Sequence, residues 1–228
     1  VANQIPNSCS ANIAPTLLAF GFDDGTVGPF VPTQLGGAEV VADPTARGGF
    51  SLRKRWVLSP DSDAGSALAY EFQPARQRVH VRWRYKQDPT FDVSGTKKLL
   101  RFKAFGFGVG SGTLIIQGDL YKWTFDDLNF GAPLSLNQNG TWNTVRPSQL
   151  RGDWHWFEVM NDISTSGALR VKLWIDGVLR MDHTVAQSNR GYTIGNITVN
   201  GTFNKPAANA TDWTDDVAIS DQCIGIPR

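Results

Sequence analysis

Apolar and polar positions alternate most clearly between Gly152 and Gly177, in the segment GDWHWFEVMNDISTSGALRVKLWIDG. Two runs rich in aromatic and β-branched residues flank the polar turn NDISTSG, so the pattern predicts an antiparallel hairpin. One face carries the predicted core residues His155, Phe157, Val159, Val171, Leu173 and Ile175. The opposite face carries Trp154, Trp156, Glu158, Lys172 and Trp174. A row of exposed tryptophans indicates a binding surface.

The rest of the chain has strand patterns separated by clusters of Gly, Pro, Asn and Asp, with hardly any helical periodicity. The predicted strands span residues 16–22, 39–42, 49–56, 67–72, 78–86, 97–105, 113–117, 121–125, 193–200 and 215–220. About a dozen short strands predict an all-β protein, a two-sheet antiparallel jelly-roll sandwich. No repeat or linker interrupts the pattern, so we expect a single domain over 1–228. The glycine-rich stretch 106–112 has dinucleotide-loop spacing, but no helix follows it.

Two middle strands alternate apolar and cationic residues. In the strand at residues 78–86, the face opposite the apolar residues carries His80, Arg82, Arg84 and Lys86. In the second, Arg101 and Lys103 lie opposite an apolar face. A cationic face is often only a solvated surface. Alternation determines which residues share a face, but it leaves open whether that face lines a groove.

Composition restricts the class of partner. At 228 residues and 41% hydrophobic content, the chain can bury a full core. A net charge of +1 gives no reason to expect a nucleic-acid partner. No apolar run is long enough to span a bilayer, so no membrane partner is predicted. We also expect a monomer. The chain opens at Val1 without a charged-then-apolar leader, which suggests the mature form of a secreted protein.

The two cysteines, Cys9 and Cys223, lie close to the two ends of the chain. Buried free thiols are the ordinary interpretation in a cytosolic protein, but positions outside any strong strand pattern favour a disulfide between the ends. Such a bridge implies an oxidising compartment. Four N-x-T sequons begin at Asn139, Asn196, Asn200 and Asn209. They are compatible with glycosylation, although Asn-Gly-Thr is also common in turns.

Four segments, FDDGTVGPF, GDWHWFEV, LRVKLWIDG and TDDVAIS, resemble the concanavalin-A-like jelly rolls, over most of the chain from Phe20 to Ser220. The pattern is most similar to extracellular polysaccharide lyases and laminin-G-like sugar-binding domains. The resemblance implies a secreted or extracellular (or periplasmic) protein in which one curved sheet forms a glycan groove on its outer face. Enzymes and lectins share this fold, so activity has to be argued from side chains.

If the cationic strands neighbour the tryptophan hairpin, the combined face has a defined chemistry. Tryptophans stack on sugar rings, and arginines bind carboxylates or sulfates at two points. The implied ligand is an anionic polysaccharide. The predicted substrate-binding residues are Trp154, Trp156, Glu158, Lys172, Trp174, Arg84 and Lys103.

Within this fold, a lyase that cleaves uronate polysaccharides by β-elimination is the favoured activity. It needs a cation to neutralise the uronate carboxylate and a base to remove the adjacent proton. The catalytic candidates are His80 as base, Arg82 and Arg101 as neutralisers, and Tyr121 and Tyr192 as proton donor or base. His155 is assigned to the core side and His183 to a turn.

Alternatives to a lyase remain open at this point. The three glutamates, Glu39, Glu71 and Glu158, form no closely spaced array, which argues against a retaining glycosidase. Two motifs of related alginate lyases, Gln-Ile-His and Tyr-Lys-x-Gly-x-Tyr, are absent. A non-catalytic lectin or carbohydrate-binding module would need only the groove. A laminin-G-type adhesion domain would bind a protein instead.

The resemblance also implies a structural calcium away from the groove, and no cofactor for catalysis. Acidic residues occupy the expected places, Asp23 or Asp24 near the start and Asp215 or Asp216 in the last strand. Oxygen ligands suit this hard cation. The alternative is that Asp-Asp-Gly is only a turn and Asp215-Asp216 a strand end.

Overall fold

The computed structural model describes residues 15, 17–34, 38–57, 63–64, 67–91, 95–105, 111–125, 145–165, 168–186, 193–201, 203–204 and 208–227. In these ranges the chain is almost entirely β-strand, with one short 3₁₀-helix at Pro147–Leu150. The strands are β1 Leu18–Phe20, β2 Val31–Gln34, β3 Ala38–Ala42, β4 Phe50–Trp56, β5 Asp63–Ala64, β6 Ala67–Arg76, β7 Arg78–Gln87, β8 Thr96–Phe105, β9 Ser111–Gln117, β10 Tyr121–Phe125, β11 His155–Asp162, β12 Ala168–Ile175, β13 Val178–Ala186, β14 Thr193–Val199, β15 Phe203–Asn204 and β16 Ala210–Ser220.

The strands form two antiparallel sheets that pack face to face. Sheet A has the order β13-β12-β11-β7-β16-β4-β3, and β1 also pairs with β16. Sheet B has the order β10-β9-β8-β14-β6-β2, with β15 and β5 attached beside β8. Consecutive strands pair in β11-β12-β13 and β8-β9-β10, whereas β7 beside β16 and β14 beside β6 join distant parts of the sequence, as in a jelly roll. The predicted all-β sandwich is confirmed.

The core between the sheets is formed by the apolar faces that alternation predicts. Phe157 and Val159 of β11 pair with Trp83 and Val81 of β7, and all four are buried. Phe157 stacks on Trp83 with ring centroids 5.5 Å apart, and meets Tyr121 of sheet B at 5.6 Å. The central strand pair of sheet A therefore anchors the interior.

The predicted hairpin is confirmed as β11 and β12, but it continues into a third strand. Residues 178–186 form β13, so His183 lies in a strand and its assignment to a turn is wrong. Asp176 and Gly177 connect β12 and β13 with φ angles of 51° and 75°. Two successive positive φ angles are typical of the tight hairpin turn for which Asp-Gly is a strong signal. His155 lies at the sheet end, where its Nδ1 is 2.7 Å from Oδ2 of Asp176.

The structure describes three of the four sequon asparagines and one of the two cysteines. Asn196 and Asn200 are buried, so a glycan cannot be attached to either in the folded chain, whereas Asn209 is exposed. Asn139 and Cys9 lie outside the described residues. No cysteine within those residues is free, and the pairing of Cys9 with Cys223 stays a prediction. No helix in the described part of the chain is long and apolar enough to cross a membrane.

We expect Phe157→Ala to lower the free energy of unfolding by about 3 to 5 kcal/mol, because it removes a ring packed between both sheets. Denaturant unfolding measures the change. Val57→Ala is the control, since Val57 is exposed and its loss should change stability by less than about 0.5 kcal/mol. Equal stabilities of the two variants would contradict this account of the core.

Candidate functional site

The sandwich has two outer faces, and the first to consider is that of sheet A. Here β7 lies between β11 and β16, so the cationic strand does neighbour the tryptophan hairpin, as predicted. Arg82 is paired with Glu158, and Arg84 with Trp156. The outer face of sheet A therefore contains most of the residues predicted to bind and cleave a glycan.

The C-terminal tail, residues 221–227, covers the centre of this face. Glu158 accepts hydrogen bonds from the backbone N–H of Ile224 at Oε1 and of Gly225 at Oε2, both at 2.9 Å. Arg82 donates to the backbone oxygen of Gly225 at 2.8 Å. His80 Nδ1 lies 2.9 Å from Glu158 Oε1. The carboxylate thus ties the tail, the arginine and the histidine into one buried network.

Burial on this face contradicts the predicted exposure of five site residues, and for Lys172 it comes from Asp182 and Trp174. The exposed fractions are 4% for His80, 8% for Arg82, 4% for Glu158, 0% for Lys172 and 2% for Trp174. Their face was predicted correctly, but the tail adds a layer that strand alternation cannot reveal. His80 and Arg82 therefore cannot act as solvent-facing base and neutraliser, and Glu158, Lys172 and Trp174 cannot contact a glycan there. Trp174 packs instead against Met160, Leu179 and Cys223.

Trp154 and Trp156 remain partly exposed beside the tail, but cations cover their rings. Arg82 lies 4.7 Å from the ring centre of Trp156, and Arg84 lies 4.8 Å from that of Trp154. Lys86 lies 5.1 Å from Trp154 and 4.7 Å from Trp213. Cation–π contacts between neighbouring strands account for this alternation of indoles and cations without a ligand.

His80, Glu158 and Cys223 bring three potential metal-ligating atoms within 4.8 Å of one another, and no other such group occurs in the described ranges. A thiolate would be needed for cysteine to bind a metal, and no described cysteine is free. The Glu158 carboxylate is already engaged by the tail. We therefore assign this group to the attachment of the tail.

An acidic cluster lies on the same side of the sandwich. Asp215 is fully buried and accepts a hydrogen bond from the backbone N–H of Arg47 at 3.0 Å. Burial and the neighbouring Asp216 raise the pKa of Asp215 to about 7, and burial also raises the pKa of Asp216. Oδ2 of Asp216 is buried without a hydrogen-bond partner. Repulsion from the nearby carboxylate of Asp23 also raises the pKa of Asp216.

The geometry around Asp23 separates it from its neighbour Asp24. A β-carbon on Gly48, which has a φ of 86°, would collide with the Asp23 carboxylate, so only glycine permits this approach of the loop. Asp24 is exposed and accepts hydrogen bonds from N and Oγ1 of Thr26, as in an ordinary turn. Asp215 is buried and Asp216 half-buried, whereas Asp23 is exposed, and the three do not form a metal-ligating group by the distances that bring His80, Glu158 and Cys223 together. Oxygen ligands would suit a hard cation, and a calcium at these residues stays a prediction.

The outer face of sheet B carries the other two predicted cations. In β8, Leu100 and Phe102 point into the core, so Arg101 and Lys103 lie on the opposite face, both partly buried. Arg101 is therefore on the other side of the sandwich from Trp154 and His80. The prediction that these residues share one surface is wrong, because β8 and β7 belong to different sheets.

Polar residues from the neighbouring strands surround these two cations. Arg101 pairs with Thr113 of β9 and Thr198 of β14, and Lys103 pairs with Asn196 of β14. Directly paired residues have β-carbons about 5 Å apart, so these side chains are neighbours. Arg101 and Lys103 are partly exposed and can meet a ligand, whereas Thr113, Asn196 and Thr198 are buried beneath them. Oγ1 of Thr113 and Oδ1 of Asn196 are buried without a hydrogen-bond partner. Strand alternation could have found Asn196 and Thr198, because they alternate with the core residues Ile197 and Val199.

The two predicted tyrosines have different outcomes. Tyr121 of β10 points into the core beside Phe157, where burial raises its pKa far above the ordinary value. It cannot serve as a proton donor to a glycan, because its hydroxyl faces the interior; that prediction is wrong. Tyr192 lies outside the described residues.

Comparison with solved structures identifies the fold. The endo-β-1,4-glucuronan lyase of the fungus Trichoderma reesei matches with a TM-score of 0.69 at 12% identity, covering 90% of this chain and 94% of that chain. The cellulose-induced protein Cip1 matches with a TM-score of 0.69 at 15% identity, covering 92% and 100%. The alginate lyase vAL-1 from Chlorella virus gives 0.67 at 10%, covering 90% and 98%.

The chain has the concanavalin-A-like jelly-roll fold. The resemblance suggested by its hairpin and terminal segments is confirmed at this level. No protein-family model and no curated protein sequence matches the chain. At identities of 10 to 15%, the likeness of this concanavalin-A-like chain to the lyases is a likeness of fold.

We expect Glu158→Ala to lower the free energy of unfolding by about 3 to 5 kcal/mol, because it leaves two tail N–H groups without their buried acceptor and removes the negative charge beside Arg82. Chemical denaturation measures the loss, and hydrogen exchange at Ile224 and Gly225 reports release of the tail. Glu39→Ala is the control, since this carboxylate is exposed and should contribute less than about 1 kcal/mol. Unchanged protection of both amides in Glu158→Ala would contradict the proposed attachment.

Proposed function

We propose that this protein is a polysaccharide lyase that cleaves a uronate-containing polysaccharide on the outer face of sheet B. The observation that carries the proposal is the position of two partly exposed cations, Arg101 and Lys103, beside the buried polar residues Thr113, Asn196 and Thr198 across three paired strands. Cations and hydrogen-bonding groups side by side suit a sugar that bears a carboxylate. The outer face of sheet A suits it less, because the chain's own tail occupies its centre.

The proposed reaction is β-elimination. A base removes the proton at C5 of the uronate, the electron pair forms a C4–C5 double bond, and the bond from C4 to the glycosidic oxygen breaks. The leaving oxygen takes up a proton. Arg101 neutralises the carboxylate next to C5, which stabilises the negative charge that develops as the proton leaves.

The solved structures with this fold support the choice of substrate class. One similar protein is named a glucuronan lyase and another an alginate lyase, and both names specify polymers of uronic acids. The proposed partner is accordingly an anionic polysaccharide. We also propose that the protein acts outside the cell, as the predicted Cys9–Cys223 disulfide would require.

The base is proposed to be Tyr192 or Lys103. Tyr192 comes directly before β14 in the sequence, and β14 is the strand that carries Asn196 and Thr198. Lys103 is the cation paired with Asn196. All three histidines belong to sheet A, which leaves the outer face of sheet B without a histidine.

A non-catalytic sugar-binding protein is the second candidate. One observation favours it: in the described part of sheet B, no tyrosine or histidine lies on the outer face, since Tyr70 and Tyr121 both pack toward the core. Such a protein would bind the same polymer through Arg101 and Lys103 without breaking it.

We expect Arg101→Ala to lower kcat on a uronate polymer about 10²- to 10³-fold, because it removes the group that stabilises the developing charge. The assay follows ultraviolet absorbance of the unsaturated uronate, with polyglucuronate and alginate as substrates and a neutral glucan as blank. Arg170→Ala is the matched control, because Arg170 lies on sheet A paired with Asp182. Its activity should equal that of the parent protein.

Two results separate the candidate functions. If the parent protein binds a uronate polymer and never produces the absorbance, the sugar-binding function replaces the lyase. If Arg101→Ala and Arg170→Ala bind the polymer as the parent does, the outer face of sheet B is not the site. If the parent protein is a lyase and Arg101→Ala impairs it, Tyr192→Phe and Lys103→Ala identify the base. Loss of the base should remove turnover while binding of the polymer persists.

We also propose a structural calcium held by Asp23, Asp215 and Asp216, remote from the reaction. We expect a chelator to lower the melting temperature, and added Ca²⁺ to raise it, because a cation relieves the repulsion of Asp216 with Asp215 and Asp23. Differential scanning calorimetry measures both shifts. Asp215→Asn should lose the response to Ca²⁺, whereas Asp24→Asn should keep it. A parent protein that melts identically with chelator and with Ca²⁺ would exclude this ion.

A further inference from the structure

A second buried polar cluster lies inside the sandwich, at one end of the core and away from both outer faces. Its members come from both sheets: Lys54 on β4, Lys97 on β8, Asn200 just after β14, and Asp212 on β16. All four side chains are buried. Charged groups are seldom buried completely unless they are paired or have a special role.

Lys97, Asn200 and Asp212 are arranged as a triad. The Lys97 amine donates to the side-chain oxygen Oδ1 of Asn200, which places Nζ beside the carboxamide carbon Cγ. Asp212 bridges the other atoms: its Oδ1 accepts from Nδ2 of Asn200 at 2.8 Å, and its Oδ2 lies 3.3 Å from Lys97 Nζ. Asn200 has a φ of 52°, a left-handed conformation that asparagine tolerates well.

Aromatic residues enclose the triad. Trp56 Nε1 and the Tyr85 hydroxyl both donate to Asp212 Oδ2, at 2.9 and 3.1 Å. Lys97 Nζ lies 3.6 Å from the ring centre of Trp56, and Phe203 packs against the same indole. Asp212 is fully buried in this enclosure, and the two donors fix the orientation of its carboxylate.

The two lysines also compete for one carboxylate. Burial lowers the pKa of Lys97 to about 8, although Asp212 opposes the shift. Burial and the nearby Lys97 lower the pKa of Lys54 to about 5. A buried lysine with a lowered pKa supplies a neutral amine, which is the nucleophilic form. If one of the two lysine amines became a neutral amide, a single lysine would remain beside the carboxylate of Asp212.

We propose that Lys97 and Asn200 react with each other to form an intramolecular isopeptide bond, with Asp212 as the proton-transfer group. The neutral amine Nζ attacks Cγ of Asn200, the Nζ–Cγ bond forms and the Cγ–Nδ2 bond breaks. One Nζ proton passes through Asp212 to Nδ2, which leaves as ammonia. The product is a secondary amide, and no oxidant or co-reactant is consumed.

The geometry suits each part of this step. Asp212 contacts both the nucleophile and the leaving group, so one carboxylate can take the proton from Nζ and deliver it to Nδ2. Thr214 Oγ1 also accepts from Nδ2 at 3.0 Å. Folding alone brings the reactants into contact, which replaces a bimolecular encounter.

The bond would join two neighbouring strands of sheet B near their ends. Lys97 lies one residue inside β8, and Asn200 directly follows β14. These are the strands that carry Arg101, Lys103, Asn196 and Thr198. A covalent link here would hold the proposed binding face in register independently of its ligand.

Mass spectrometry of the intact, reduced protein tests the proposal. Reduction removes any effect of a disulfide, and we expect the folded parent protein to be lighter than its sequence by one ammonia. A tryptic digest should then contain a branched peptide that joins Lys97 to Asn200, with no cleavage after Lys97. This measurement needs no variant, so it stands even if the variants fail to fold.

A succinimide at Asn200-Gly201 would show the same loss of ammonia, because the following backbone nitrogen can also attack Cγ. The branched peptide distinguishes the two, since a succinimide leaves Lys97 unmodified and cleavable. A mass deficit without a branched peptide would therefore overturn the proposal, as would a full parent mass.

Four substitutions assign the roles of the cluster. Lys97→Met and Asp212→Asn should restore the full mass, because they remove the nucleophile and the proton carrier. Lys54→Met should keep the branched peptide, since Lys54 donates to the backbone oxygens of Asn200 and Gly201 and the amine of Lys97 donates to the carboxamide oxygen. Asn200→Asp should form the same bond with loss of water in place of ammonia. A branched peptide that contains Lys54 in the parent protein would overturn the assignment to Lys97.

Discussion

The hydrogen bonds from the C-terminal tail to Glu158 determine which surface of this protein is open to a ligand. A β-sandwich uses one face of each sheet for its core, so two outer faces remain. In sheet A, Glu158 binds the N–H groups of Ile224 and Gly225, and the tail then buries His80, Arg82 and Trp174. On the outer face of sheet B, Arg101 and Lys103 are partly exposed, although Thr113, Asn196 and Thr198 beside them are buried. The proposed function depends on this asymmetry.

Charged side chains have different roles on the outer face of sheet A, inside the sandwich and on the outer face of sheet B. On sheet A, arginines and lysines lie against tryptophan rings and stabilise the packing of neighbouring strands. Inside the sandwich, Lys97 and Asp212 are enclosed by aromatic residues and oriented toward Asn200. On the outer face of sheet B, Arg101 and Lys103 lie beside polar groups that have no protein partner. Only the last arrangement has the composition of a polysaccharide site.

Much of the fold could be predicted from the sequence, because alternation directly encodes the two faces of a strand. Phe157, Val159, Val171 and Leu173 are all buried as expected. The faces of the site residues were also correct, since Arg82 and Trp156 do lie together on an outer face. Their exposure was not predictable, because the tail covers that face through long-range contacts. Ile224 and Gly225 bind Glu158, which lies 66 and 67 positions earlier in the chain.

The interior cluster shows a second limit of pattern analysis. A register irregularity between Lys98 and Leu100 in β8 changes the alternation, so Lys97 faces inward opposite Ile116. Simple alternation cannot anticipate such a bulge. Asp212 was missed for a related reason, because β16 begins at Ala210 and not at residue 215. Which strands share a sheet is likewise a long-range property, and it separates Arg101 from His80.

The most direct test of the central claim is an NMR titration of the protein with a short oligouronate. Side-chain amide signals of Asn196 and indole N–H signals of Trp154 and Trp156 report on the two outer faces separately. We predict saturable shifts for Asn196 and for backbone amides of β8 and β14, with the two indole signals unchanged. Shifts confined to the indoles of Trp154 and Trp156 would place the ligand on sheet A and contradict the account.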